Sequence, residues 1–414
     1  MKMGIIADDY TGATDAASFV VKGGLRTLQI NRIPNTPLSE EYDAVVIGLK
    51  TRSCSTQEAI KQSIDACRWL KRQGCERIYF KYCSTFDSTE QGNIGPVTDA
   101  LMHEIGTSHT LICPALPVNG RTVYQGYLFV HDALLNESGM KNHPLTPMHD
   151  ANLLRLMDAQ SEGQSALISY EDIISREHLL DEIKKHVAQG KRYLVCDSLN
   201  SSHVDMWGEV AALMPLSTGG SGLAGGIAKA LCDENHSESQ TFVPSRHQKG
   251  VVISGSCSLM TNEQVKEYKN HAPSKFIEVE KCLTNSGYAN KIKDWVLRHS
   301  NGPNYPMLYA TVDANTLKSI QDEWGSQASE AVERLFYEVV RLLKNEGYKV
   351  FISAGGETSG TVTQALNVEE FEIGKEIAPG VPWVTSHQDN VSLALKSGNF
   401  GNPDFFIHAQ EMMR

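Results

Sequence analysis

Residues 349–360 read KVFISAGGETSG, and this stretch indicates the class of fold. A short apolar run, 349–353, enters a loop with paired glycines, and a helix is predicted from about Thr358. Paired glycines let the backbone turn closely against a ligand, and the helix offers free N–H groups at the positive end of its dipole. The pattern predicts a strand, a phosphate-binding loop and a helix; the alternative is a tight turn with a helix cap.

The same pattern recurs in the first part of the chain, where apolar runs end in polar loops and alternate with amphipathic segments. Strands are predicted at 4–7, 43–49, 77–82, 110–113 and 193–196, and helices at 56–73, 96–105 and 176–188. Near-continuous apolar strands that alternate with helices predict a mainly parallel, doubly wound sheet of the α/β class. The carboxyl ends of parallel strands lie at one edge of a sheet, so these loops predict a shared polar site.

The chain of 414 residues is too long for one ordinary core and favours two domains. A polar stretch at 233–249 interrupts the pattern and is the best candidate for a linker. A second α/β unit follows, with strands at 250–254 and 349–353 and helices at 261–270 and 326–345. We therefore predict domains at 1–235 and 250–414, a linker at 236–249, and an active site in the cleft between two sheets flanked by helices.

Composition restricts the classes of function. The net charge of −11 argues against a nucleic-acid binder, which usually presents a basic surface. No apolar run approaches the length of a membrane helix, and the opening residues contain no signal-peptide hydrophobic region, so no membrane partner is expected. Nine cysteines without CxxC pairs indicate reduced thiols and a cytoplasmic protein without a structural metal.

Two further loops of the second part resemble the glycine pair in character. Residues 255–258 read GSCS and residues 396–401 read KSGNFG. Hydroxyls and free amides suit phosphate or ribose, although a simple helix cap would also explain each loop separately. Three such loops in one domain favour a nucleotide site.

Three carboxylates are candidates for the group that orients an acceptor hydroxyl and takes its proton. Asp8 and Asp9 follow the first predicted strand, and Asp87 lies in a hydroxyl-rich loop, 84–89. Phosphoryl transfer to a hydroxyl needs such a carboxylate. Helix capping is the alternative explanation for the Asp8–Asp9 pair.

Cations and a glycine-rich turn in the same loops are candidates for binding an anionic substrate. Arg52 and Arg121 lie after predicted strands, Lys81 lies near the end of one, and an arginine fork suits a carboxylate. Gly220, in the TGGSG turn at 218–222, precedes a predicted helix whose amino end would attract an anion. With Thr85 they form the predicted substrate-binding set; surface ion pairs and close packing of the glycines are the alternatives.

Ten segments resemble the four-carbon acid sugar kinase family, in order along nearly the whole chain. They are ADDYTGATD (7–15), LKTRS (49–53), YFKYCSTFDST (79–89), GNIGPVTDAL (92–101), PALPVNGRTVYQGYLFV (114–130), HPLTPMHD (143–150), TGGSGLA (218–224), SGSCS (254–258), SAGGETSG (353–360) and KSGNFG (396–401). One departure is Tyr10, where phenylalanine is common in the family; a hydroxyl there does not change the expected class of reaction.

The resemblance implies an amino-terminal domain that binds the sugar acid and a carboxyl-terminal domain that binds ATP with Mg²⁺. It places contacts to ATP at Ser258, Gly355, Gly356, Glu357, Thr358, Gly398 and Gly401. The implied reaction phosphorylates the terminal 4-hydroxyl of a four-carbon acid, most similarly to the subgroup that acts on 3-oxo-tetronate.

Other functions remain open at this point. A D-threonate or D-erythronate kinase differs by one polar contact to the substrate. A nicotinamide-dependent dehydrogenase is disfavoured by the lack of a GxGxxG sequence, and a non-catalytic sugar-acid sensor would leave three glycine-rich loops without a purpose. A homo-oligomer is also left open.

Overall fold

The structure is a computed structural model, and it describes residues 1–34, 37–38, 41–142, 146–232, 243–386 and 390–413. The chain divides into two compact units, Met1–Ser239 and Gln240–Arg414. The part of the predicted linker at 236–242 lies outside the described residues.

The first unit is built on a parallel sheet. Its described strands are β1 (Met3–Ala7), β2 (Thr27–Ile30), β3 (Ala44–Gly48), β4 (Ile78–Lys81), β5 (Thr110–Cys113), β6 (Arg121–Tyr124), β7 (Tyr127–Val130), β8 (Ala133–Leu134), β9 (Ser165–Ile168), β10 (Tyr193–Cys196) and β11 (Leu216–Gly219). Eight of them form the sheet in the order β2-β3-β1-β4-β11-β5-β10-β9, and every described pair is parallel. The short strands β6, β7 and β8 form a separate antiparallel sheet.

Helices connect these strands and cover the sheet. They are α1 (Tyr10–Lys22), α2 (Thr56–Arg72), α3 (Ile94–Ile105), α4 (Leu153–Gln160), α5 (Arg176–Ala188), α6 (Ser201–Ala211) and α7 (Ser221–Leu231). Strands β1, β3, β4 and β5 are buried along their whole length, which explains their continuous apolar sequences. Helix α3 begins two residues before the predicted start at Pro96. The N–H groups of a first turn have no intrahelical partner, so a proline is tolerated there and the helix can begin before it.

The second unit is a mixed sheet. Its strands are β12 (Gly250–Ser254), β13 (Ser274–Phe276), β14 (Met307–Tyr309), β15 (Val350–Ala354), β16 (Glu370–Ala378), β17 (Val381–Ser386) and β18 (Val391–Lys396). In the order β13-β14-β12-β15-β18-β17-β16, the first four pairings are parallel and the last two, β18 with β17 and β17 with β16, are antiparallel. The prediction of a mainly parallel α/β fold in two domains is confirmed, and the antiparallel hairpin is an addition to it.

The helices of this unit include those that begin at the predicted loops. They are α8 (Leu259–Tyr268), α9 (Val279–Thr284), α10 (Tyr288–His299), α11 (Ala314–Trp324), α12 (Gln327–Asn345), α13 (Gly356–Leu366) and α14 (Phe405–Glu411). Helix α8 begins two residues before its predicted start, because Ser258 accepts a hydrogen bond from the Thr261 N–H and caps it. No helix within the described ranges is long and apolar enough to cross a bilayer.

Candidate active site

Polar residues gather at the carboxyl edge of β3, β1 and β4, three neighbouring strands of the first sheet. Asp8 and Asp9 follow β1, Arg52 follows β3, and Lys81 ends β4. Because these strands are parallel, their ends lie at the same edge, and the residues predicted from separate loops do meet there.

The Arg52 guanidinium is the centre of this cluster. Its Nε lies 2.9 Å from Oδ2 of Asp8, and its Nη2 lies 2.8 Å from Oδ1 of Asp8 and 2.9 Å from Oδ1 of Asp9. Its Nη1 faces Asp87, 3.9 Å from Oδ2. Arg52 was predicted to receive a substrate carboxylate, but two carboxylates of the protein already occupy most of its fork, which leaves Nη1 for a ligand.

Asp9 has the contacts of a helix cap. It accepts hydrogen bonds from the Gly12 N–H and from the Thr11 hydroxyl, each at 2.9 Å. Burial acts to raise the pKa of Asp9, but the positive charges of Arg52 and Lys81 outweigh burial and lower that pKa. Asp9 is therefore a weak proton acceptor.

Asp8 and Lys81 are almost completely buried beside this cap. Burial raises the pKa of the Asp8 carboxyl, although the Arg52 charge opposes the rise. A Cβ added at Gly12 would lie 2.1 Å from Oδ1 of Asp9 and 2.2 Å from Nζ of Lys81. The start of α1 therefore needs a glycine where the Lys81 ammonium and the Asp9 carboxylate approach the backbone together.

Asp87 differs from the other two carboxylates in its contacts. Its Oδ1 accepts a hydrogen bond of 2.6 Å from the Thr85 hydroxyl, while the only described polar contact of Oδ2 is the 3.9 Å approach of Arg52. Phe86, between Thr85 and Asp87, has a φ of 48°, a left-handed conformation that is uncommon for a bulky residue. This strained loop presents Asp87 to a small cavity that Asp8, Arg52 and Asn93 also line.

The remaining predicted substrate residues lie on other elements. Arg121 is on β6, and its guanidinium donates to the Asn119 carbonyl. Gly220 caps α7, and a Cβ at this position would lie 2.6 Å from the Pro114 carbonyl oxygen. Within the described residues, the hydrogen bonds and ion pairs of the Arg52 cluster include neither of them.

In the second unit the three predicted loops lie together. The N–H groups of Gly255 and Ser256 both donate to the Ala354 carbonyl, at 3.1 and 3.2 Å. A Cβ at Gly255 would lie 2.2 Å from Oγ1 of Thr358, and a Cβ at Gly398 would lie 2.6 Å from Oγ of Ser256. The glycines are needed because each loop approaches its neighbour too closely for a side chain.

The start of α13 has the geometry of an anion site. Gly355 has a φ of 119°, a conformation that L side chains rarely adopt, and the helix begins at Gly356 rather than at the predicted Thr358. No side chain of the described residues caps this helix, so the N–H groups of its first turn stay available. Glu357 is exposed there, whereas Thr358 is buried against the neighbouring loop.

Gly401 and Lys396 complete this loop cluster. Gly401 has a φ of 77° and packs against the Phe405 ring. Lys396 ends β18 and is completely buried, with Nζ in contact with Thr261. Sequence reasoning included Lys396 in the loop 396–401 but assigned it no role; the available signal was a lysine at the end of an apolar strand.

Comparison with known proteins identifies the class. Residues 3–227 match the model of a sugar-binding N-terminal domain, and residues 251–406 match that of a nucleotide-binding C-terminal domain. These are the two halves of the four-carbon acid sugar kinase family, and the chain belongs to this family.

Relatives that match over the full chain have a more specific name. The 3-oxo-tetronate kinases of Pectobacterium atrosepticum and Salmonella typhimurium are 50% and 51% identical to it, and each match covers 99% of both chains. A solved Salmonella typhimurium structure is 51% identical over 100% of both chains, with a TM-score of 0.93. A Haemophilus influenzae structure is 49% identical over 99% of this chain and all of that one, with a TM-score of 0.83.

Replacing Arg52 by glutamine tests the charge balance at the sheet edge. The change leaves Asp8 and Asp9 without their shared cation, and we expect it to lower the free energy of unfolding by about 3 kcal/mol at pH 7. Without that cation the folded-state pKa of Asp8, already raised by burial, rises further above its unfolded value, so the loss should shrink as the pH falls from 7 to 5 and the carboxyl takes up a proton. Denaturant unfolding at several pH values measures it, with the exposed Arg68→Gln as control; a deficit independent of pH would contradict the interpretation.

Two glycine substitutions test the backbone conformation at Gly355, just before α13. Gly355→Ala places a Cβ on a backbone with φ of 119°, so we expect it to lower the free energy of unfolding by about 1–3 kcal/mol. Gly360→Ala is the matched control because it lies within α13 and its Cβ would meet nothing within 4 Å. It should be neutral or should stabilise by about 0.5–1 kcal/mol. Thermal and denaturant unfolding would measure both; equal effects would show that the Gly355 conformation is not constrained.

Proposed function

We propose that this protein is a kinase that transfers the γ-phosphate of ATP to the 4-hydroxyl of 3-oxo-tetronate. The observation that carries the proposal is the match over the full chain, at about half identity, to relatives named 3-oxo-tetronate kinase. The three converging loops of the second unit support the nucleotide part, and the cationic and acidic cluster of the first supports the sugar-acid part.

The proposed nucleotide contacts follow from the loops. The free N–H groups of Gly356, Glu357 and Thr358 would bind phosphate oxygens at the amino end of α13. Mg²⁺ bound with the nucleotide supplies further neutralisation of the phosphate charge. Glu357 is the acidic residue of the three loops and is exposed, so it is the side chain that would meet the metal, directly or through water.

Asp87 is the carboxylate that the contacts favour as the orienting base. Asp9 is occupied as a helix cap with a lowered pKa, and Asp8 is bonded at both oxygens by Arg52. Asp87 keeps Oδ2 available, in a cavity beside Nη1 of Arg52. We propose that Oδ2 accepts the proton of the substrate hydroxyl, and that Arg52 Nη1 and Lys81 provide positive charge for the acid. The predicted location of the active site between the domains stays a prediction.

The tRNA synthase description that the solved Salmonella structure carries is not favoured for this chain. The net charge of −11 gives this chain no overall attraction for the phosphate backbone of a tRNA. Its Salmonella relative at the same identity is named a 3-oxo-tetronate kinase.

An ADP-release assay with Mg-ATP tests the proposed reaction. The acceptors to compare are 3-oxo-tetronate, D-threonate, D-erythronate and none. We expect release with the 3-oxo acid alone, and phosphorus NMR of the product should place the phosphate on the 4-hydroxyl. Release with a reduced acid alone would keep the kinase and change its substrate; no release with any acceptor would contradict the proposal.

Asn substitutions at two aspartates test which carboxylate acts. Asp87→Asn keeps an oxygen that can accept from Thr85 but removes the proton acceptor, so kcat should fall by about 10²–10⁴ with little change in KM. Asp9→Asn is the matched control because asparagine caps helices equally well, and kcat should stay within about tenfold of the wild type. Steady-state kinetics of both variants measure this; a large loss for Asp9→Asn with an active Asp87→Asn would reverse the assignment.

A further inference from the structure

Lys396 carries an amino group that is fully enclosed by the loop cluster. Its Nζ donates to Oγ1 of Thr261 at 3.1 Å, to the Ser397 carbonyl at 2.9 Å and to the Gly398 carbonyl at 2.8 Å. These three acceptors match the three hydrogens of an ammonium group, so the side chain has the partners that the charged form requires.

The charge of Lys396 has no acidic partner in the part of the chain that the structure describes. Within it, no carboxylate oxygen lies within 4 Å of Nζ, and the neighbouring ring of Phe405 lies 5.9 Å away. Burial lowers the pKa of Lys396 to about 7, and no charged group contributes to that shift. A buried cation without a counter-ion is costly, and an anion supplied with a ligand would stabilise the charged form of Lys396.

The position of Lys396 connects all three loops of the cluster. Its carbonyl accepts a hydrogen bond of 2.8 Å from the Gly355 N–H, at the start of the α13 loop. Its Nζ binds the Gly398 carbonyl, and a Cβ at Gly398 would lie 2.6 Å from Oγ of Ser256 and 3.1 Å from Oγ of Ser258. Lys396 therefore contacts the glycine pair and its own loop directly, and Gly398 of that loop lies against the 255–258 loop.

We propose that Lys396 is a positioning residue whose enclosed ammonium group attracts the phosphates of the nucleotide and fixes the loops that receive them. The inference rests on the proposed function, because it needs a nucleoside phosphate at these loops. Lys396 is too deeply buried to touch the ligand; it acts through the low-dielectric interior, where a charge is felt over several ångströms. Its effect should therefore grow with the number of phosphates.

The test compares adenosine, AMP, ADP and ATP by calorimetric titration in the same magnesium buffer. Lys396→Met removes the charge and keeps much of the volume. We expect its affinity for ATP to fall by about tenfold or more, with a smaller loss for ADP, a still smaller one for AMP, and none for adenosine. The matched control is Lys266→Met, an exposed lysine on α8, which should bind all four compounds like the wild type.

The outcomes separate this inference from the proposed function. A wild type that binds no ATP would contradict the proposed function, whereas a wild type that binds ATP while Lys396→Met loses affinity equally for all four compounds would overturn only the role of Lys396. Lys396→Gln, whose amide can still donate to a carbonyl, is the second neutral variant if the methionine variant does not fold, and the same graded loss is expected.

Thr261→Val tests the position of the loops separately, because this variant keeps the charge of Lys396. It removes the hydroxyl that accepts from Nζ and donates to the Gly398 carbonyl at 2.7 Å, so it loosens the loops without neutralising Lys396. Its loss of affinity should be similar for adenosine and ATP. A loss in this variant that grows with phosphate number would show that loop position, rather than the ammonium charge, sets phosphate affinity, and would overturn the proposal.

Discussion

The bidentate pair between Arg52 and Asp8 is the interaction on which the first unit's site depends. Asp8 follows the interior strand β1, and its carbonyl also accepts from the N–H of Thr51 at 2.9 Å, so backbone and side chain together hold the loop after β3. Buried charges are stable only when they are paired and hydrogen-bonded, which fixes the guanidinium in one place. Arg52 also contacts Asp9 at 2.9 Å and lies 3.9 Å from Asp87.

In the second unit, the N–H groups at the amino end of α13 stay available to a ligand. Its loops are held by backbone contacts, such as those to the Ala354 carbonyl, and by the absence of Cβ atoms where loops touch. Lys396 adds a charge beneath this surface. Loops held in this way would need little reorganisation if an anion bound to them.

Much of this organisation can be predicted from the sequence. Apolar strands that alternate with helices form a parallel sheet, and the polar loops that follow the strands then lie at one edge of it. Parallel topology places Asp8, Arg52 and Lys81 at one edge without any knowledge of contacts. The small sheet β6–β8 was not predicted, because its strands are short and mostly half-buried and so lack a clear pattern. The antiparallel hairpin of β16 and β17 was also missed, because no strand was predicted at 370–386. Strand β17 is buried throughout and so lacks the apolar–polar alternation typical of an antiparallel strand.

The residue types of the site were predictable from the sequence, but the contacts between them were not. Arg52 has the chemistry of a carboxylate ligand, and only the structure shows that the carboxylates come from its own chain. Likewise the burial of Lys396 depends on how the loops 255–258, 354–360 and 396–401 pack together, and a local sequence pattern cannot predict that packing.

The close contact of Gly398 with Ser256 and Ser258 also limits how such a protein can change over evolutionary time. A side chain at position 398 would require the Ser256 or Ser258 side chain to move or to be reduced, so the effects of substitutions in these loops depend on each other. The sequences of loops in such close contact are expected to change together in evolution. Although they lie more than a hundred residues apart in the sequence, these segments are therefore expected to vary as a pair.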